Sequence, residues 1–123
     1  MARIYDELLE SIDGITTHPE MSWAKNVYWM YSILVSQERY GMSRDILMTQ
    51  LMKEGVETRR FFYPLHILPV YRSLRIRDKR FPVSEHLSNV GLNLPSGPKI
   101  GDEDVNHVAN LIKNYRDHEG DTK

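Results

Sequence analysis

The chain has 123 residues, of which 41% are apolar and 27% charged, and its formal net charge is −1. This length suits one domain with a core of its own, and the small net charge argues against nucleic acid or an anionic membrane as a partner. No apolar run reaches the roughly 18 to 20 residues of a membrane span, and the absence of cysteine excludes disulfides and thiolate sites. We expect a cytoplasmic protein with one α+β domain over residues 1–117 and a frayed polar tail over residues 118–123.

The N-terminal third predicts one helix and one strand. Apolar residues repeat at helical spacing from Ile4 to Ile12, and Gly14 follows as a candidate C-terminal cap. No capping residue precedes this helix, as though a longer helix had been cut. Residues 15–26 have the composition of a loop. Residues 27–35 are rich in aromatic and β-branched side chains, which predicts a buried central strand.

The next segment predicts a loop and then a capped helix. Residues 37–42 surround Gly41 and are expected to form the loop. Ser43 takes the N-cap position of the helix, and Asp45 places a negative charge in its first turn. Gly55 suits the left-handed conformation in which many helices end.

Residues 55–71 form a proline-stiffened corner. A short run of β-favouring side chains at residues 60–63 predicts a strand, which Pro64 ends because proline has no N–H to donate. A short turn or helix is expected over residues 70–74. The basic run at residues 75–80 is interpreted as a solvated loop.

The C-terminal part predicts a helix, a strand and a helix. Pro82 opens the first helix and Gly91 ends it, and Pro95 ends the strand at residues 92–94. Asp102 is the expected cap of the last helix. Its apolar stripe consists of Val105, Val108, Leu111, Ile112 and Tyr115. The whole order predicts an α+β fold, with a small three-stranded antiparallel or mixed sheet that carries helices on one face and leaves the other uncovered.

Several common catalytic motifs are missing from the sequence. It contains no P-loop, no GxGxxG and no HExxH pattern, and Ser96-Gly97 lacks the G-x-S-x-G frame of a hydrolase elbow. The five histidines lie too far apart in sequence for a helical metal site, so we expect no bound metal. His86 and His107 are interpreted as surface residues.

The corner therefore carries the candidate binding residues. Arg59 suits a carboxylate or phosphate, and Tyr63 and His66 suit hydrogen bonds to hydroxyl groups. Phe62 or Tyr71 would flank a ring. The alternative is structural: Phe61 and Phe62 in the core, His66 capping backbone carbonyls, and Arg59 paired with Glu57 or Asp45.

The same residues resemble the C-terminal part of the DegT/DnrJ/StrS family of pyridoxal-phosphate-dependent nucleotide-sugar aminotransferases. The resemblance covers roughly residues 3–115. Within the family, the sequence looks most similar to perosamine-synthase-like members. The segments that carry it are Gly55-Val56-Glu57-Thr58-Arg59, Phe62-Tyr63-Pro64-Leu65-His66, Pro69-Val70-Tyr71, Phe81-Pro82-Val83-Ser84-Glu85 and Gly91-Leu92-Asn93-Leu94-Pro95-Ser96-Gly97-Pro98.

The resemblance implies the small domain of such an enzyme, with Arg59, Tyr63 and His66 nearest the substrate. Members of the family are about three times longer, and their large domain holds pyridoxal phosphate through a lysine. No lysine of this chain lies in a matching motif, so we expect no catalytic residue and no cofactor bound by this chain alone. The expected partner is a separately encoded cofactor-binding domain. The alternative is a non-catalytic module that pairs with a second copy of itself or with another protein.

Overall fold

A four-stranded antiparallel sheet lies at the centre of the computed structural model, which describes residues 1–71 and 80–120, with side chains through residue 116. The strands are β1 (Ile15–Thr16), β2 (Tyr31–Val35), β3 (Arg59–Arg60) and β4 (Gly91–Leu94), in the order β1-β2-β4-β3. The α+β class is confirmed. The expected number of three strands is wrong, because β1 forms within the segment predicted to be a loop.

Five α-helices surround this sheet in the described residues. They are α1 (Ala2–Leu9), α2 (Gln37–Tyr40), α3 (Arg44–Lys53), α4 (Pro82–Val90) and α5 (Asp102–Gly120). Helix α2 replaces the loop predicted over residues 37–42, and Gly41 closes it at φ +103°. Helix α5 continues past residue 118, the predicted start of the tail, while residues 121–123 lie outside the described part.

The core lies where one face of the sheet meets α1, α3 and α5. Tyr31, Ile33 and Val35 alternate along β2 toward this face, and Tyr31 stacks on Tyr5 of α1 with ring centroids 4.6 Å apart. Strand β4 brings Leu92 opposite Ile33. The other fully buried helical side chains that complete the core are Leu9, Tyr40, Leu47, Leu51, Val105 and Ile112. The stripe predicted on α5 therefore does face the core.

The ends of α3 follow the sequence signals closely. The Ser43 hydroxyl accepts a hydrogen bond from the Ile46 N–H at 3.3 Å, and Gly55 adopts φ +78° just after the helix. Helix α5 differs from the prediction, because Asp102 is its first helical residue. The capping bond comes instead from Asp104, whose carboxylate accepts from the Gly101 N–H at 3.0 Å.

Strand β2 begins at Tyr31, four residues later than predicted. Tyr28 adopts a left-handed backbone with φ +47°, which lies outside the extended conformation of a regular strand. The side chains of Val27 and Trp29 are 88% and 77% exposed. The β-favouring composition of this segment therefore does not mark a buried strand.

The second face of the sheet is not bare, contrary to the expectation. All four residues of β4 are buried, including Asn93, which is 4% exposed on the side away from the core. Asn93 accepts from the Ser32 hydroxyl at 2.5 Å and donates to the Arg60 carbonyl at 3.2 Å. Helix α4 packs against β2 and lines one cleft together with Leu34.

Two predictions fall wholly or partly on residues 72–79, outside the described ranges. Pro69–Tyr71 forms a 3₁₀ turn where a turn or short helix was expected over residues 70–74. Of the predicted basic loop, only Arg80 is described, and it is exposed. No helix in the described residues is long and apolar enough to cross a membrane.

Just after β1, the His18 side chain accepts a hydrogen bond from the backbone of β2. Its Nε2 accepts a hydrogen bond from the Ser32 N–H at 2.8 Å, so the neutral ring is the form that fits. Burial lowers the pKa of His18 below its ordinary 6.5, and the Asp6 carboxylate offsets only part of this shift. The contribution of His18 to stability is therefore complete above pH 6.5 and is lost as the pH falls toward the lowered pKa.

This contact predicts a pH dependence of folding. The free energy of unfolding is expected to decrease between roughly pH 7.5 and 5.5, and His18→Gln should flatten this decrease because glutamine does not titrate. Urea unfolding at the two pH values measures the change. His107→Gln is the matched control, because His107 is exposed on α5 and its replacement should leave the slope intact. A slope that survives His18→Gln would contradict the assignment.

Candidate functional site

The corner predicted to bind substrate leaves the sheet after β3 and folds onto α4. The Phe61 N–H donates to the Gly91 carbonyl at 3.1 Å, which extends the pairing by one bond beyond β3. Pro64 is buried, and a 3₁₀ turn at Leu65–Ile67 follows it. The strand ends before the predicted residue 63, because Gly91, the partner of Phe61, is the first residue of β4.

His66 is held inside the corner. It is 8% exposed, its Nε2 lies 3.2 Å from a Glu85 carboxylate oxygen, and its ring centroid lies 4.8 Å from that of Phe81. The same Glu85 oxygen accepts from the Phe81 N–H at 3.2 Å. This backbone bond, helped by the bond with His66, lowers the pKa of the Glu85 carboxyl.

The partner of His66 is therefore a carboxylate on α4, not the backbone carbonyls of the structural alternative. In this position His66 ties the corner to α4. The arrangement leaves little of the ring open to a ligand.

Arg59 and Tyr63 are accessible. The Arg59 side chain is 77% exposed, and its nearest carboxylate is that of Glu57 at 3.8 Å, a surface pair that contributes at most about 1 kcal/mol. Tyr63 is 59% exposed. Asp45, the other proposed partner of Arg59, is paired with Arg44 at 2.6 Å and with Arg60 at 3.3 Å.

Arg59 and Tyr63 line two different cavities. Arg59 borders a groove of about 670 Å³ between the end of β4 and α5, together with Asn93 and Ser96. Tyr63 borders a cleft of about 450 Å³ against α4, together with Asp45, Arg60 and Glu85. The two cavities therefore separate Arg59 from Tyr63, and His66 lines neither of them.

The structure presents two aromatic residues that the sequence did not mark as a pair. Trp29 and Phe62 hold their rings nearly parallel, with centroids 6.3 Å apart and planes inclined by 9°. Phe62 is 58% exposed, so its interpretation as a core residue is wrong, while Phe61 is half-buried. The positions are 33 residues apart in sequence, and no local pattern joins them.

Comparison with known proteins settles the family. The sequence model described as the DegT/DnrJ/EryC1/StrS aminotransferase family matches residues 1–113. The chain belongs to this family. GDP-perosamine synthase from Vibrio cholerae is 40% identical over 115 residues, which are 94% of this chain and 30% of that enzyme. GDP-perosamine synthase from Caulobacter vibrioides is 30% identical over 105 residues, which are 85% of this chain and 28% of that enzyme.

A solved structure extends this family likeness to the fold. The crystal structure of DesI in the presence of its TDP-sugar product superposes with a TM-score of 0.81 at 29% identity. The match covers 94% of this chain and 29% of DesI. This family chain thus spans about three tenths of the length of the relatives that it matches.

The described residues do not fit the pyridoxal phosphate that the family implies. The cofactor needs a lysine in a sheltered pocket and a cradle for its phosphate. The described lysines Lys25, Lys53, Lys99 and Lys113 are all exposed. The first turn of α5 carries Asp102, Glu103 and Asp104, whose negative charges oppose a phosphate there. Among the residues that the structure describes, no group of three or more histidine and carboxylate side chains could hold a metal ion.

Proposed function

We propose that this chain is the C-terminal small domain of a nucleotide-sugar aminotransferase and works in the cytoplasm. In such enzymes an amino group passes from glutamate to a nucleotide-linked keto-sugar. The observation that carries the proposal is the continuous family match over residues 1–113, together with 40% identity to a GDP-perosamine synthase. The chain provides part of the sugar side of the active site, and it is inactive alone because it contributes no cofactor lysine.

The accessible corner residues have the chemistry for this role. The guanidinium of Arg59 is open to an anionic group, and the hydroxyl of Tyr63 is open to a sugar hydroxyl. His66 acts as a positioning residue, because its bond to Glu85 fixes the turn that follows Tyr63. Each of these groups binds or orients, and none is required to transfer a proton.

The partner is a cofactor-binding large domain, in the same polypeptide or separately encoded. Leu65, Val70 and Val83 are 67%, 73% and 70% exposed, which leaves apolar surface on the corner and on α4 for such a contact. The same surface favours one alternative, a non-catalytic module that pairs with a second copy. Sedimentation distinguishes the two hypotheses. A self-pairing module must form a dimer at micromolar concentration, whereas the small domain of an aminotransferase need not.

A chimeric enzyme tests the proposal directly. The matched 115-residue segment of the Vibrio cholerae GDP-perosamine synthase is replaced by this chain, and amino transfer to its keto-sugar nucleotide is measured. We expect turnover within about tenfold of the parent enzyme, since that ratio corresponds to roughly 1.4 kcal/mol of transition-state stabilisation. A chimera that folds and binds pyridoxal phosphate but transfers no amino group would contradict the proposal.

A further inference from the structure

Tyr63 is held in place by its neighbours in the chain rather than by contacts of its own side chain. That side chain is 59% exposed, and it makes no hydrogen bond or ring contact among the described residues. The position of its hydroxyl group therefore depends on how the backbone enters and leaves residue 63. Each of these two directions has an anchor, one on the sheet and one on α4.

The anchor before Tyr63 lies at the start of β4. The Phe61 N–H donates to the Gly91 carbonyl at 3.1 Å. The Phe61 side chain also packs so closely on Gly91 that an added Cβ there would lie 2.6 Å from the Phe61 Cβ. Only glycine leaves room for this approach, so the backbone of β4 fixes the place where the corner begins.

The anchor after Tyr63 is the carboxylate of Glu85. An ionised carboxylate only accepts hydrogen bonds, so in the 3.2 Å contact the His66 Nε2–H donates to Glu85 Oε1. The same oxygen accepts from the Phe81 N–H at 3.2 Å, and the Glu85 N–H donates to the Phe81 carbonyl at 3.0 Å. One carboxylate oxygen thus closes the first turn of α4 and holds the corner onto that turn.

Helix α4 joins the two anchors. Glu85 lies in its first turn and Gly91 follows its last residue, so one short helix fixes both ends of the loop that carries Tyr63. Pro64 is buried and restricts the backbone of Tyr63 as well as its own. Removing the Glu85 carboxylate would release the downstream end of this loop, because His66 would be left buried without its acceptor.

We propose that Glu85 is a positioning residue, which acts on the keto-sugar through Tyr63. The assignment rests on the proposed function, in which the Tyr63 hydroxyl binds a sugar hydroxyl. A contact that depends on a preset geometry weakens when that geometry is released, because the binding conformation is then one of several. Loss of one hydrogen bond to the sugar corresponds to about a tenfold change in affinity.

The chimeric GDP-perosamine synthase tests the link between Glu85 and Tyr63. Glu85→Ala should raise the KM for the keto-sugar nucleotide about tenfold and leave kcat within about twofold, as expected when binding alone is lost. Tyr63→Phe should have the same effect. The double variant should raise KM no further, because both substitutions remove one interaction.

Two further variants of the chimera show whether the carboxylate acts as a hydrogen-bond acceptor. Glu85→Gln should keep KM within about threefold of the unsubstituted chimera, because the amide oxygen still accepts both bonds. Glu103→Ala is the matched control, since Glu103 lies in the first turn of α5, is exposed and has no partner among the described residues. It should leave KM unchanged.

Hydrogen exchange of the isolated chain gives a readout that needs no active enzyme. The Ile67 N–H donates to the Pro64 carbonyl and the Leu68 N–H to the Leu65 carbonyl, each at 3.2 Å, so both amides report on the corner. Glu85→Ala should accelerate their exchange about tenfold. The Val56 N–H, which donates to the Leu51 carbonyl at 2.9 Å, is the reference amide and should be unaffected.

Three results would overturn the proposal. They are an unchanged KM in Glu85→Ala, a double variant whose KM rises about a hundredfold as independent effects would multiply, and corner amides that exchange no faster relative to Val56. Any of them in an active chimera removes the role of Glu85 and leaves the aminotransferase role. A chimera that folds and binds pyridoxal phosphate but is inactive removes that role, and the exchange rates then decide whether Glu85 holds the corner.

Discussion

Gly14→Ala is expected to lower the free energy of unfolding by roughly 2–5 kcal/mol. Gly14 adopts φ +84°, where an L-residue costs roughly 1–2 kcal/mol. An added Cβ would also lie 2.3 Å from the Tyr40 backbone nitrogen, and a clash with backbone is not relieved by a side-chain rotation. Overpacking of this kind typically costs about 1–3 kcal/mol more. The Gly14 carbonyl accepts from the Ser36 N–H at 2.8 Å, so any shift of the loop also disturbs the contact between β1 and α2.

Gly55→Ala is the matched control for this substitution. Gly55 has a similar φ of +78°, and an added Cβ would meet nothing within 4 Å. The Gly55→Ala variant should therefore lose only the conformational cost, roughly 1–2 kcal/mol, in its free energy of unfolding. Urea unfolding of both variants measures the difference, and equal losses would show that the close approach to Tyr40 contributes nothing.

Arg44→Ala is expected to lower the free energy of unfolding by roughly 1–3 kcal/mol, since it removes the donor of the buried Ser88 carbonyl. The Gly91 carbonyl loses one donor and keeps the Phe61 N–H. Arg44 is 8% exposed, and its Nη1 donates to the Ser88 carbonyl at 3.2 Å and the Gly91 carbonyl at 2.8 Å. Carbonyls in the last turn of a helix lack intrahelical donors, so Ser88 depends on this contact. The guanidinium thereby joins α3 to the junction of α4 and β4.

Arg59→Ala provides the comparison, because the same change is made at a side chain that is 77% exposed. Its effect on the free energy of unfolding should stay within about 0.5 kcal/mol. Unfolding of the two variants in guanidinium chloride measures their free energies of unfolding. A loss for Arg44→Ala no larger than that for Arg59→Ala would contradict the role assigned to the buried contacts.

Elements with complete local signals were predictable from the sequence. Ser43, Asp45 and Gly55 mark the two ends of α3 through short-range capping and backbone preferences. The apolar stripe of α5 follows the helical period and faces the core. The family was also accessible from the sequence, because its motifs lie in order along nearly the whole chain.

Features that depend on distant contacts were not predictable. Val27 and Trp29 have high β-propensity, but that propensity reflects packing against neighbours, and Tyr28 turns both away from the sheet. The two-residue strand β1 is too short to produce an alternating pattern.

The geometry of the candidate site also depends on contacts that the local sequence does not indicate. His66 lies 19 residues from Glu85, and nothing in the local sequence indicates that this carboxylate would pair with it. Arg59 and Tyr63 are close in sequence, yet they line different cavities, one beside α5 and one against α4.

The proposed function requires this chain to shape the sugar side of an aminotransferase active site without anchoring the cofactor. The most direct measurement incubates the purified chain with pyridoxal phosphate, reduces it with borohydride and locates the modified lysines by mass spectrometry. We expect only low, scattered labelling of exposed lysines. Stoichiometric reduction onto one lysine would show a cofactor site within these 123 residues and contradict the account.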